Sequence, residues 1–263
     1  MSAGGQVAGD AYFDRDGERF MPRELARGYW RHDMLHARPM VGLLGQELER
    51  RHGDPELMPA RLGVDLFRTP PFGPVTVATR LVHGGGRLRL TEADLIIDGQ
   101  VCARAQCQFL RVTEPPAGAV WSPPPWDVPP PEALATRTDG EHRQMAELRP
   151  IRGDFRGADC ARQIWTRECF DIVADQPLTP FARVALAADF SSAWSNMGER
   201  GPEYMNTDVV VHLHRLPRGD WLGFEVTGNE ASQGIAVGHC RLHDRAGAIG
   251  FVATTALSNE RRR

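Results

Sequence analysis

The side chain with the clearest chemical potential in this sequence is Asp189, which lies in the segment ALAADFSSAW. Ala185 and Ala193 stand four residues on either side of it, so a helix would place the carboxylate on a face of small side chains turned toward a sheet. A buried carboxylate is costly unless it meets a donor or a cation, or unless its raised pKa is used to activate water. An aspartate that hydrogen-bonds a neighbouring strand or lies in solvent is the structural alternative, and both interpretations are open.

The histidines give weaker evidence for a functional site than Asp189 does. His212 and His214 share one strand face, as do His239 and His243, and such spacings hold a metal only when a third ligand converges. No carboxylate or cysteine lies at a matching position, so we predict exposed strand faces and no metal. Ser232 lies in NEASQG, which is not a nucleophile elbow of the α/β-hydrolase type.

Composition excludes several other classes of function. All 31 basic side chains are arginine, which removes Schiff-base chemistry and a P-loop lysine, and no cofactor is predicted. The formal net charge of -3 predicts no nucleic acid partner. The five cysteines are odd in number and form no C-x-x-C pair, so we expect reduced thiols. No apolar stretch approaches the roughly 20 residues of a membrane span, and the N-terminus carries acids, so a cytoplasmic protein is expected.

A proline-rich segment divides the chain of 263 residues. Residues 113–134 read TEPPAGAVWSPPPWDVPPPEAL, and prolines at that density neither continue a helix nor pair within a sheet. We therefore predict an N-terminal repeat over 1–112, a linker over 113–150 and a C-terminal repeat over 151–263.

The two halves show the same order of elements. Each contains a helix followed by about four strands, the first helix beginning at Pro39 and the second running over PFARVALAADFSSAW after a Thr179 cap. The match of Arg68-Thr69-Pro70 with Arg215-Leu216-Pro217 indicates an internal duplication. An apolar helix followed by antiparallel strands buries itself best when the sheet curls around it, so we predict an α+β double hotdog. An ordinary sandwich is disfavoured because both halves carry a helix at the same place.

The chain resembles the type II acyl-CoA thioesterases and their actinobacterial thioesterase-like relatives, which are double hotdogs. The resemblance covers most of the chain, and its strongest parts are residues 62–90, the segment ALAADF, the strand ending HLHRLPRGDW and the hairpin LHDRAGAIGFVATTAL.

The resemblance implies three site residues. Asp189 matches the aspartate that orients the hydrolytic water in this family. The family's hydroxyl position falls on Asn206 and its glutamine position on Thr255, so the chain departs from the pattern at both. We expect Thr255 to share a helix-facing side of its strand with Phe251 and Leu257. The amides of Met40 or Phe181, near the helix starts, are the expected oxyanion donors.

The leading prediction is hydrolysis of the thioester of an acyl-CoA or an acyl carrier, with an apolar acyl pocket beside the helix. A hydratase would need an aspartate and a histidine a few residues apart, for which Asp33 and His36 are the nearest fit, and the order of its motif is missing. The alternative from another class is a non-catalytic acyl-binding protein that has lost the hydrolytic network, as the changes at Asn206 and Thr255 suggest. Side-by-side packing of double hotdogs also predicts a homo-oligomer.

Overall fold

The computed structural model describes residues 10–28, 31–137, 145–154 and 160–259. The helices are α1 (Ala37–His52), α2 (Pro180–Ala188) and α3 (Phe190–Asn196), with 3-10 turns at Glu24–Ala26 and Pro131–Ala133. The strands of the first half are β1 (Ala11–Asp16), β2 (Arg19–Pro22), β3 (Leu57–Leu66), β4 (Val75–Gly84), β5 (Leu88–Ile97) and β6 (Gln100–Arg111). Those of the second half are β7 (Ala146–Arg152), β8 (Gln163–Glu168), β9 (Asp171–Val173), β10 (Met197–Gly198), β11 (Gly201–Pro202), β12 (Tyr204–Asn206), β13 (Asp208–Leu213), β14 (Trp221–Ser232), β15 (Ile235–Asp244) and β16 (Gly247–Ser258).

One continuous sheet contains strands from both halves. Its order is β3-β6-β5-β4-β2-β1 in the first half and β13-β16-β15-β14-β8-β7 in the second, and an antiparallel β3–β13 pair joins the two. The strand order of one half is therefore repeated in the other. Joining the halves at β3 and β13 removes one exposed edge from each sheet.

The duplication is regular along the chain. β5 begins at residue 88 and β15 at residue 235, an offset of 147 residues, and the same offset relates β6 (100–111) to β16 (247–258). Arg68 and Arg215 are also 147 residues apart, so the internal alignment made from sequence is in register. Asp98 and Gly99 form the turn between β5 and β6: both residues have positive φ, 50° and 73°, as a two-residue hairpin turn requires.

The two long helices pack against each other and run antiparallel. A Cβ atom placed on Gly45 of α1 would lie 2.6 Å from the Cβ of Ala185 in α2, and one on Gly42 would lie 3.2 Å from the Cα of Leu186. Glu49, at the end of α1, meets Thr179, at the start of α2. Glycine and alanine at the crossing therefore let the two backbones approach closely, and each helix N-terminus lies beside the C-terminal part of its partner.

The starts of α1 and α2 each have a side-chain cap. The Thr179 hydroxyl accepts the amide of Ala182 at 3.0 Å, as predicted, and Nδ1 of His36 accepts the amide of Arg38 at 3.0 Å. The single helix predicted over the segment ending at Trp194 is wrong in one respect, because α2 ends at Ala188 and α3 begins at Phe190. Asp189 forms the junction between them.

The linker is held against the fold. Trp126 stacks on His243 with ring centroids 4.2 Å apart and lies 4.9 Å from the ring of Trp165. β7 already begins at Ala146, so the last residues of the segment predicted as linker are paired with β8. β9, from the second half, pairs in parallel with β1 of the first. The halves therefore exchange contacts well beyond the junction of their sheets.

Candidate functional site

Asp189 lies between two helices and against the sheet. Only 9% of the residue is exposed, and its Oδ1 accepts a hydrogen bond from Nδ2 of Asn206 at 2.9 Å. Asn206 reaches it because β12 places that residue opposite Ala256, on the buried face of β16. The structure therefore brings together two of the three residues implied by the sequence.

The Asn206 amide is fixed by a second contact. Its Nδ2 also donates to the backbone carbonyl of Asp208 at 3.5 Å, so both of its hydrogens point at acceptors. An amide held in this way directs its own carbonyl oxygen outward as an acceptor. Asn206 is consequently placed to orient Asp189, and its carbonyl oxygen can accept a hydrogen bond from a water.

Thr255 does not join this pair, and the prediction that it faces the helices is wrong. Its neighbours on the same strand face, Phe251 and Leu257, are 49% and 53% exposed, whereas Thr254 is 1% exposed. The Thr254 hydroxyl accepts a long hydrogen bond, 3.4 Å, from Asn196 of α3. Side chains alternate along a strand, so a shift of one position moves Thr255 to the outer face of the sheet.

His36 is a residue that the sequence analysis did not place in the site. As the N-cap of α1 it is partly buried at the Asp189 end of α2, and the Asp189 carboxylate acts on it electrostatically. Burial lowers the pKa of His36, Asp189 opposes this and Arg38 adds to it, with a net lowering. Because Nδ1 accepts the Arg38 amide, the neutral ring carries its proton on Nε2. His36 is thus a neutral hydrogen-bond donor at this end of the helix pair.

A buried ion pair lies behind these groups. Arg38 donates to the Glu168 carboxylate, and the two side chains are 8% and 1% exposed. Burial acts to lower the pKa of Arg38, but Glu168 and, more weakly, Asp189 raise it above its usual value. The guanidinium therefore stays charged and brings a fixed positive charge near Asp189.

The structure does not support the amides of Met40 and Phe181 as oxyanion donors. α1 begins two residues before Pro39, so Met40 is the fourth helical residue, whose amide bonds the His36 carbonyl in a regular helix. Phe181 lies at the start of α2, at the opposite end from Asp189. Beside Asp189 lies His36, on which the carboxylate acts electrostatically and whose neutral ring carries its hydrogen on Nε2. Asp33, considered for a hydratase, is exposed and paired with Arg31.

Two family models match the sequence over most of its length. The acyl-CoA thioesterase N-terminal domain matches residues 26–110, and the acyl-CoA thioesterase C-terminal domain matches residues 116–257. The chain belongs to the acyl-CoA thioesterase family. No protein with curated annotation matches this thioesterase-family chain.

Solved structures agree on the fold. The TesB protein of Mycobacterium avium subspecies paratuberculosis has a TM-score of 0.71 at 16% identity, over 94% of this chain and 96% of that one. Acyl-CoA thioesterase II TesB2 of Mycobacterium marinum has a TM-score of 0.66 at 18% identity, over 93% and 94% of the two chains. A hot dog fold protein of unknown function from Alicyclobacillus acidocaldarius has 0.73 at 17%, over 95% and 97%. The predicted double hotdog is confirmed.

Within the described part of this thioesterase-family chain, no helix has the length and apolar character to cross a membrane. Over the same residues, no group of three or more His, Cys, Asp or Glu side chains is arranged to hold a metal ion. The cysteines are free thiols, and burial raises the pKa of Cys107 and Cys240.

Proposed function

We propose that this protein hydrolyses the thioester of an acyl-CoA or an acyl carrier to a free acid and a thiol, using Asp189 to activate water. The contact between Asp189 and Asn206, at the end of the helix pair where α1 begins, is the observation that carries this proposal. Family membership supports the reaction class. The same proposal treats 1–112 and 151–263 as two hotdog repeats that build one site between them.

The reaction requires a water positioned for attack and a proton acceptor. Oδ2 of Asp189 carries no hydrogen bond from the described residues, and with the carbonyl oxygen of Asn206 it supplies two acceptors for one water. The water oxygen attacks the thioester carbonyl carbon while one of its protons moves to Asp189. When the carbon–sulfur bond breaks, that proton passes to the departing thiolate.

Negative charge develops on the thioester oxygen during the attack. The amide of Ala37 and Nε2–H of His36 are the donors at this end of α1, and the positive end of the helix dipole favours the same charge. A neutral His36 donates without changing its protonation state. Thr255 has no role in this scheme because it lies on the outer face of β16.

The test is release of free thiol from short, medium and long acyl-CoAs. Asp189→Asn should lower kcat by roughly 10²–10⁴-fold with an unchanged unfolding midpoint, because the amide cannot accept the water proton. Thr255→Val and Thr255→Gln should leave the rate unchanged. Undiminished turnover in Asp189→Asn would overturn the assignment.

A non-catalytic acyl-binding protein is the second candidate. The observation in its favour is that Thr255, where the family carries a glutamine, faces away from Asp189. Saturable binding of acyl-CoA without thiol release by the wild-type protein would select this alternative over hydrolysis.

The proposal also includes the partner, the cellular location and the oligomeric state of the protein. The partner is a soluble acyl thioester, and we place the protein in the cytoplasm. Light scattering coupled to size-exclusion chromatography would test the predicted homo-oligomer, since a single chain has a mass of 29.2 kDa.

A further inference from the structure

A cavity of about 850 Å³ opens at the C-terminal end of α1, away from Asp189. It lies where β3 begins and where β6 and β13 end, and its volume falls in the range of small-molecule sites. Because α1 and α2 are antiparallel, this cavity and Asp189 lie at opposite ends of the helix pair. The cavity is therefore separate from the hydrolytic site proposed above.

The wall of the cavity is mainly apolar. Its apolar side chains come from the three strand ends and the loop after β13, and they include Leu57, Pro59, Ala60, Phe109, Leu213 and Leu216. The charged side chains of the wall are already paired: Arg111 with Glu56, Arg215 with Asp244, and Asp54 with Arg89. An occupant would accordingly meet apolar surface over most of its length.

Glu49 is the exception on this wall, because no arginine pairs with it among the described residues. Its Oε2 accepts a hydrogen bond from the Thr179 hydroxyl at 2.5 Å. Burial raises the pKa of Glu49, with the Thr179 bond opposing, so the neutral acid persists to a higher pH than usual. A neutral carboxyl group can donate its O–H to a carbonyl or carboxylate oxygen.

The cavity and the Asp189 site occupy related places in the two repeats. β3 begins at Leu57 and β12 at Tyr204, again 147 residues later, and Pro59 corresponds to Asn206 at that offset. A carboxylate lies near the N-cap of the opposite helix in both places: Asp189 acts on His36, and Glu49 bonds Thr179. The amide that orients Asp189 has no equivalent beside Glu49, because proline has no polar side chain.

We propose that this cavity is a second binding site, which holds the aliphatic chain of an acyl compound and places its carbonyl or carboxyl oxygen at Glu49. The apolar wall covers the chain, and the carboxyl group of Glu49 fixes the polar head. Free carboxylic acids and acyl thioesters share this chemistry. The site binds and does not hydrolyse, since the position that corresponds to Asn206 is Pro59, which has no amide side chain to hold a water beside Glu49.

The test measures binding by calorimetry with two probes. One is decanoate, and the other is a decanoyl-CoA analogue in which a methylene group separates the carbonyl from sulfur, so that it is not hydrolysed. Leu216→Trp, which fills the cavity from a loop, should weaken at least one probe about 10-fold or more. Leu81→Trp is the matched control, because Leu81 is 53% exposed and lies outside the cavity wall.

The probe affected identifies the source of the ligand. Loss of decanoate binding assigns the site to free acids, and loss of the CoA analogue assigns it to thioesters. Unchanged affinity and stoichiometry for both probes in Leu216→Trp would overturn the proposal.

Glu49→Leu supplies a second variant that leaves the cavity open. Removing the polar contact should weaken binding by roughly 2–10-fold, and Glu49→Gln, which keeps a donor, should weaken it less. Both variants should retain wild-type thiol release, and Asp189→Asn should retain this binding. A result against hydrolysis at Asp189 can therefore be told apart from a result against binding in the cavity. Equal ligand affinity in wild type and Glu49→Leu would contradict the role of Glu49.

Discussion

The two ends of the α1–α2 pair repeat one arrangement with different surroundings. At one end Asp189 is oriented by Asn206 and lies near the buried Arg38–Glu168 ion pair. At the other, the Glu49 carboxyl group bonds only the Thr179 hydroxyl among the described side chains and faces an apolar cavity of about 850 Å³. A carboxylate near a helix N-cap is thus common to both ends, and the neighbouring side chains decide its use.

The difference follows from the duplication. Both ends share the helix crossing and the strand offset of 147 residues, although α1 and β3 are continuous where the second repeat is interrupted between α2 and α3 and between β12 and β13. Asn206 and Pro59 stand at equivalent positions, and that one difference supplies an orienting amide to a single end. The comparison indicates that chemistry in this fold depends on a few side chains added to a repeated frame.

The largest effect should come from the buried Arg38–Glu168 ion pair at the Asp189 end. Arg38→Met leaves Glu168 buried without its partner and should lower the free energy of unfolding by roughly 3–5 kcal/mol. The matched control is Arg111→Met at the cavity end, where both partners are exposed and a loss of about 1 kcal/mol or less is expected. Urea unfolding measures both, and the double variant Arg38→Met/Glu168→Leu should recover most of the loss. Equal losses of unfolding free energy in Arg38→Met and Arg111→Met would contradict the claim that the ion pair at the Asp189 end is the more important of the two for stability.

A change at the shared crossing should affect both ends together. Gly45→Val places a side chain where a Cβ would already lie 2.6 Å from that of Ala185, and should cost roughly 1–3 kcal/mol of stability. Turnover at Asp189 and ligand binding at Glu49 should fall in the same variant. The control is Gly63→Val, because a Cβ on Gly63 meets no atom within 4 Å. Loss of only one of the two activities would show that the ends do not depend on a common helix geometry.

The smallest effect is a pH dependence of opposite sign at the two ends. The pKa of His36 is lowered by burial, so the folded state loses stability as pH falls below the ordinary value of 6.5, where only the unfolded chain takes up the proton. The pKa of Glu49 is raised by burial, so stability is lost as pH rises above 4.5, where only the unfolded carboxyl ionises.

Unfolding free energies between about pH 5 and pH 8 test this contrast. Relative to wild type, His36→Gln should gain stability toward acid pH and Glu49→Gln toward neutral pH, each by removing the dependence of its own group. If the difference in unfolding free energy from wild type had the same slope against pH in both variants, the opposite pH dependence of the two ends would be contradicted.

The fold was predictable because its evidence is local and repeated. Helix caps, hairpin turns and the match of Arg68 with Arg215 are properties of short segments, and the repetition of the same order in both halves strengthens each. Asp189 and Asn206 were predicted for the same reason, since the family resemblance assigns them from motifs within one repeat, and the structure brings the two side chains into contact.

The rest of the site depends on contacts that the sequence does not contain. Arg38 and Glu168 are 130 residues apart and meet only after the halves dock. Thr255 was assigned to the wrong face because a count that is wrong by one residue reverses the side of a strand. The N-cap position of His36 gave a usable signal, a polar side chain directly before the apolar helix, but its neighbour Asp189 comes from the other repeat.

The most direct test of the account compares the two carboxylates in one experiment. Single-turnover release of thiol from decanoyl-CoA should be slowed by roughly 10²–10⁴-fold in Asp189→Asn and left unchanged in Glu49→Gln, with both variants folded. A similar rate in Asp189→Asn and wild type, or an equal loss in Glu49→Gln, would contradict the assignment of hydrolysis to the Asp189 end.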